Sequence, residues 1–353
     1  ATLAATVGLP FVALAATTPL LQDWAARSGH PQLADPYPLN ALSNLGSLLA
    51  LAAFPFVLEP HLTIAQQLKL WSGAFALWAV LVLSAAAWSA FRARATASAA
   101  ADAEHAPPLG FLRRARWVIL ALVPSSLLLG VTAHISLDIA AVPLLWILPL
   151  ILYLATFVVA FARAPLVTAR SVDHVVPGLV LVTVTPLVFH FVNLLWLPVY
   201  LIAFAAIALL CHLRLAEDRP PASHLPEYYL WLSLGGVLGG LFNALLAPVM
   251  FNRLLELPLM LVIACLLRPP APRDAPATGP DGWFAIVIGA LCVNVYVLGF
   301  FAGQGSAESA LRFALLFPLF LSYKVGSRRM RFAVAIATLM LTGEMQRDWG
   351  DEA

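Results

Sequence analysis

The stretch from Leu194 to Leu213 passes twenty positions without an Asp, Glu, Lys or Arg. About 20 apolar residues in a helix cross the hydrocarbon of a bilayer, and a helix satisfies its own backbone N–H and C=O groups where no water can. Twelve windows of this kind follow one another: roughly 3–22, 39–58, 70–90, 116–135, 140–161, 175–191, 194–213, 228–249, 254–268, 283–302, 309–323 and 330–343. The ninth, eleventh and twelfth are short. Only 11% of the residues are charged and 61% are hydrophobic, whereas soluble domains carry about 25% charged residues. Soluble globular classes are excluded. The expected fold is all-α, a polytopic transmembrane bundle of about twelve spans.

Where the few charges fall sets the orientation. With the loops between windows numbered in order, the odd ones carry Arg27; Arg92, Arg94, Arg113, Arg114 and Arg116; Arg163 and Arg170; Arg214 and Arg219; Arg268 and Arg273; and Lys324, Arg328, Arg329 and Arg331. That is sixteen of the twenty Lys and Arg. Even loops hold Lys69, Arg253 and Arg312, and Arg347 lies in the tail. Cytoplasmic loops are the ones enriched in Lys and Arg, so the odd loops are expected in the cytoplasm and both ends of this chain outside. The sequence starts at Ala1, directly in apolar residues, with no basic n-region or small-residue cleavage site. An odd number of further helices before Ala1 is the expectation.

A second regularity runs along the chain. At an offset of 190, Pro36, Leu42, Ser43, Gly46, Leu48 and Leu51 fall on Pro226, Leu232, Ser233, Gly236, Leu238 and Leu241, and Pro31 falls on Pro221. The leucine matches are cheap in a Leu-rich chain, but proline, serine and glycine in one register are not. The reading is an internal duplication: a first membrane repeat over 1–173, a second over 174–343, and a polar tail at 344–353. Two parallel repeats related by an axis along the membrane normal would make a major-facilitator-like bundle. In the second copy Gly235 with Gly239 and Gly236 with Gly240 are spaced i,i+4 and clear a groove for another helix. Ser43, Ser47, Gly46 and Ala50 do so more weakly in the first. A phosphate-binding reading of these glycines needs a preceding strand, which the sequence lacks.

Ionisable groups at membrane depth are costly and tend to mark pathways. His134 and Asp138 stand one helical turn apart and can pair if the helix continues that far; the pair is either a structural bond or a substrate or proton contact. Asp23, after the first window, is interfacial or faces a polar cavity. Asn44, with Asn40, and Asn243 bring amides into apolar helices, for helix-to-helix bonds or a solute contact. His190 and His212 are lone histidines for which the sequence places no ligand partners, and Asn294 and Gln304 are the main polar groups from window ten onward. Cys211, Cys265 and Cys292 have no paired spacing and read as buried thiols. No cofactor or metal is expected.

The stretches Leu14 to Gln22, Ser43 to Ala50, His134 to Trp146 and Tyr229 to Asn243 resemble the membrane half of bacterial proteins described as fused major-facilitator and spermidine-synthase-like. This resemblance covers roughly Gly8 to Arg268 and implies a multi-pass protein of the bacterial inner (cytoplasmic) membrane, with helices before Ala1 and a soluble synthase-like domain after the last helix. No Gly-rich strand-turn-helix or acidic nucleotide-binding residue occurs in the chain, so aminopropyl transfer is not expected of it. Two functions follow: a transporter-like protein for a small, cationic solute with a midplane site between the repeats, not an enzyme, or a non-transporting accessory or scaffold subunit. Membrane lipids are the expected partners, together with other membrane subunits docked on the small-residue helix faces. Nothing points to nucleic acid.

Overall fold

The computed structural model describes residues 8–27, 38–95, 109–139, 144–162, 166–190, 193–221, 224–269, 288, 314–326 and 328–351. Window ten apart from Ile288, and with it Cys292 and Asn294, lies outside them, as does Gln304. Among the described residues every regular element is helical. In chain order these are α1 (Leu9–Arg27), α2 (Pro38–His61), α3 (Ile64–Ala95), α4 (Phe111–Ile139), α5 (Ile147–Ala160), α6 (Ala169–Phe189), α7 (Leu194–Glu217), α8 (Leu225–Met250), α9 (Glu256–Leu266), α10 (Leu316–Ser322) and α11 (Arg329–Asp351). Six of them, α2, α3, α4, α6, α7 and α8, are long and apolar enough to cross a membrane. The chain is a multi-pass membrane protein. At 1.5 Å per residue the 11 residues of α9 and the 7 of α10 fall short of a 30 Å hydrocarbon layer.

The chain forms two compact units, each assembled from separate pieces. One is drawn from Ala1–Val118, Leu154–Leu166 and Leu215–Leu234, the other from Ile119–Tyr153, Val167–Arg214 and Gly235–Ala353. In the first, α1 packs on α2 and α3, with Thr18 and Ser43 sharing a hydroxyl hydrogen bond of 2.9 Å. Most of the large apolar side chains of α2 and α3 are exposed, among them Leu42, Leu49, Phe56, Trp71 and Leu83. Such surface is what a lipid-facing helix presents, since hydrocarbon is as apolar as leucine.

In the second unit the core lies where α6, α9 and α11 meet. Val172, Val176, Val180, Val184 and Val188 are buried at every fourth position of α6, the spacing that lines one face of a helix. Phe332, Ile336 and Leu339 are buried on α11. Gly343 lets α11 approach α6 closely: a Cβ there would lie 3.0 Å from Val188 Cα. The polar tail begins within this helix. Residues 344–351 continue α11 without a break, because Glu344 is tied to Arg253 and the residues beyond it include good helix formers.

Two helices end in the same way. In α2 the turn Phe54–Leu58 is a π turn, with the Glu59 N–H bonded to the Phe54 carbonyl, and the helix stops at Leu62 in extended conformation, φ −120° and ψ 132°. In α8 the turn Phe242–Leu246 is a π turn, with the Ala247 N–H bonded to the Phe242 carbonyl, and the helix stops at Phe251, φ −121° and ψ 134°. The cause is local. Pro60 and Pro248 have no N–H to donate, and their rings crowd the carbonyl four residues back; one widened turn moves that carbonyl aside. Phe54 and Phe242, and likewise Pro60 and Pro248, are 188 positions apart.

Candidate functional site

Polar side chains of the second unit collect around one open pocket, lined by His134, Asp138, Pro186, Leu187, His190, Tyr200, Arg253, Leu254, Pro258 and Glu344. Its space, open mouth included, is about 540 Å³. The lining comes from the last turns of α4 and α6, the first turns of α7 and α9, the link between α8 and α9, and α11. In the numbering of the sequence analysis these are the fourth, sixth and eighth loops and the tail, all of even rank.

The expected pair forms. His134 Nδ1 donates to Asp138 Oδ2 at 2.7 Å, and α4 reaches Asp138 because its final turn, Ile135–Ile139, is a π turn. His134 is buried, while the Asp138 side chain is 39% exposed. Tyr200, itself buried, sets its ring edge-on to the His134 imidazole at 4.6 Å. His190 closes α6 in the left-handed region at φ 55°, and its Nε2 lies 3.4 Å from the Gly343 carbonyl. Arg253 Nη1 stands 3.6 Å from Glu344 Oε2, an oxygen that is out of solvent and takes no hydrogen bond.

The other expected residues sit elsewhere. Asn243 spends its amide on helix packing, donating to Ser126 Oγ at 2.5 Å and to the Gly239 carbonyl at 3.1 Å. Asn44 lies in the first unit and donates to the Asn40 carbonyl at 2.8 Å. Asp23 is also in the first unit, one residue past the buried Gln22; Gln22 donates to the Tyr229 hydroxyl at 3.2 Å. Ser43 and Ser233 are exposed. Of the glycines, Gly235 and Gly239 are buried and Gly236 and Gly240 half-buried. Gly239 seats α8 directly on α4, and Ser125 Oγ donates to the Gly236 carbonyl at 2.9 Å. Gly46 has no atom within 4 Å of where a Cβ would stand. His212 is buried with its ring edge-on to Tyr153 at 5.2 Å. No group of three or more His, Cys, Asp or Glu that could hold a metal occurs among the described residues.

Tyr200, Arg253 and Glu344 are lining residues that sequence reasoning did not single out. Arg253 carried a signal nonetheless: it breaks the charge alternation, a basic side chain in an even loop. Glu344 and Tyr200 carried none, because one follows the last apolar window and the other lies inside an apolar run.

Other charged pairs join loops of like rank. In the first unit Arg113 Nε bonds Asp218 Oδ1 at 3.0 Å, Arg114 pairs with Glu227 at 2.6 Å, and Trp117 donates to Asp218 at 3.2 Å. These join the third and seventh loops, and the Gln22–Tyr229 bond links the window ends that border the first and seventh loops. In the second unit Arg268, 4% exposed, grips both carboxylate oxygens of Asp173 at 2.6 and 3.2 Å and donates to the Gly326 carbonyl. Arg329 in turn donates to the Arg268 carbonyl. These join the fifth, ninth and eleventh loops. Family models, curated proteins and solved structures were compared with the chain, and none matches.

Proposed function

We propose that the chain is a major-facilitator-like membrane protein of the bacterial inner membrane that binds and moves a small solute at the pocket of the second unit, without an enzymatic activity of its own. The observation that carries the reading is the pocket itself. It gathers two carboxylates, an arginine, two histidines and a tyrosine at the end of apolar helices, where ionisable groups are kept only at a cost in stability. The odd loops, rich in arginine, would face the cytoplasm and the pocket would open on the other side. The two-repeat reading, and with it the likeness to fused major-facilitator and spermidine-synthase-like proteins, is supported by the matching ends of α2 and α8, each a π turn, a proline and an extended cap. With offsets of 190 up to Leu51 and Leu241 and of 188 from Phe54 and Phe242, this reading needs a two-residue difference in length between the copies at that point.

Purified protein in proteoliposomes, offered radiolabelled small amines, amino acids and organic acids, should accumulate at least one of them. Asp138→Asn should reduce that uptake by about tenfold or more, since it removes the charge half of a charged hydrogen bond. Uptake unchanged in Asp138→Asn would remove the pocket from the pathway. A second reading, a non-transporting scaffold subunit, is favoured by one observation: the apolar exposure of α2 and α3, a surface that another membrane helix can cover as well as lipid. Co-purification of a stoichiometric membrane partner, with no uptake of any solute, would select it.

A further inference from the structure

The charges that line the pocket do not cancel. Asp138 and Glu344 each bring a carboxylate, and Arg253 brings one fixed positive charge. His134 serves Asp138 as a hydrogen-bond donor through Nδ1. Counted with His134 and His190 uncharged, one negative charge is left over. Glu344 Oε2 adds a second demand: it is out of solvent, is ion-paired to Arg253 Nη1 at 3.6 Å and takes no hydrogen bond, so its hydrogen-bonding capacity is unused.

We propose that this pocket seats a compact primary ammonium group, with Asp138 and Glu344 as its acceptors. The inference rests on the pocket being the solute site and names the chemistry of that solute. An anion would meet two carboxylates against one arginine. Metal ions are disfavoured because no group of three suitable ligands occurs among the described residues. A quaternary ammonium needs a cage of several aromatic faces, and among the described residues Tyr200 is the one aromatic besides histidine on the lining. A primary ammonium carries three N–H donors, matched to the carboxylate acceptors that Asp138 and Glu344 bring to the lining. Pro186, Leu187, Leu254 and Pro258 give the short alkyl stem an apolar wall. Such a group belongs either to a free small amine or to the ethanolamine head of a lipid at the bilayer edge.

Binding is read without transport, so this inference and the uptake reading fail separately. Thermal unfolding of the full chain in detergent is followed at pH 7 in ethylammonium chloride, tetramethylammonium chloride and sodium propionate at equal ionic strength. Ethylammonium should raise the melting temperature saturably and the other two should not. Asp138→Asn and Glu344→Gln should each weaken the ethylammonium effect about 10- to 100-fold, and Asn44→Ala should leave it intact. Nanodiscs of phosphatidylethanolamine and of phosphatidylcholine separate the sources. If ethanolamine lipid already supplies the stabilisation and abolishes the response to ethylammonium, the head group is the ligand; a response equal in both discs assigns a free amine. The proposal is overturned if propionate or tetramethylammonium stabilises as well as ethylammonium, or if the Asp138→Asn, Glu344→Gln double variant responds like the wild type.

Discussion

Gly239→Ala should destabilise the protein by about 1–3 kcal/mol, while Gly46→Ala should stabilise it by about 0.5–1 kcal/mol, although the two glycines belong to stretches that share one sequence pattern. Glycine in a helix is ordinarily a liability relative to alanine, because its backbone loses more freedom on folding. At Gly46 nothing opposes the gain, since a Cβ would stand in open space. At Gly239 a Cβ would lie 2.5 Å from the Leu122 carbonyl oxygen and 3.0 Å from both Ser125 Cβ and Ser126 N. Those are backbone atoms and a short side chain, which cannot swing aside, so α8 must lift off α4. The Ser125 to Gly236 bond and the Asn243 to Ser126 bond, at 2.9 and 2.5 Å, lengthen with it. Thermal unfolding in detergent measures both variants, and equal shifts would contradict the packing described for α4 and α8.

Arg268→Met should cost more, about 3–5 kcal/mol. The guanidinium is nearly out of solvent, is held by two oxygens of Asp173, donates to the Gly326 carbonyl and lies 5.7 Å over the Phe332 ring. It therefore joins the start of α6, the end of α9 and the approach to α11. Removing it strands the Asp173 carboxylate, whose side chain is 19% exposed, and that uncompensated charge is the larger part of the penalty. A lysine would keep the charge but not the fork that reaches both oxygens and a carbonyl together, so Arg268→Lys should recover only part of the loss. Arg268→Met combined with Asp173→Leu should be more stable than Arg268→Met alone, because no stranded charge remains. If the double variant is no better than the single one, the carboxylate is not what makes the loss large.

How much of this was legible beforehand follows from what each residue depends on. Helices were readable because an apolar run in lipid has one local solution, and windows one to nine, eleven and twelve each overlap a described helix. Their lengths were less so: the window at 309–323 yields only Leu316–Ser322 as helix, and the tail joined α11 through a contact with Arg253, which is distant in sequence. Arg113, Arg114 and Arg268 find their partners in loops of their own parity. The His134–Asp138 pair was readable from spacing. What the spacing could not say is that Tyr200 and Glu344 come to the same place, because those approaches are set by tertiary packing over more than 60 and 200 positions respectively. Asn243 and Gly46 show the same limit. Asn243 makes the helix-to-helix bond that was one of its two expected roles, with Ser126 as the partner that spacing could not name, and at Gly46 a Cβ would meet no atom within 4 Å among the described residues.

The central claim is that loops of odd rank lie on one face of the membrane and loops of even rank, with the pocket, on the other. Single cysteines placed at the exposed positions Thr63, Asn193 and Asn252, and at Thr168 and Pro221, test it by labelling intact cells with a membrane-impermeant maleimide against the wild-type background. Cysteines at Thr63, Asn193 and Asn252 should label in intact cells, and those at Thr168 and Pro221 only after the membrane is permeabilised. Labelling of Thr168 and Asn252 positions from the same side would contradict the account.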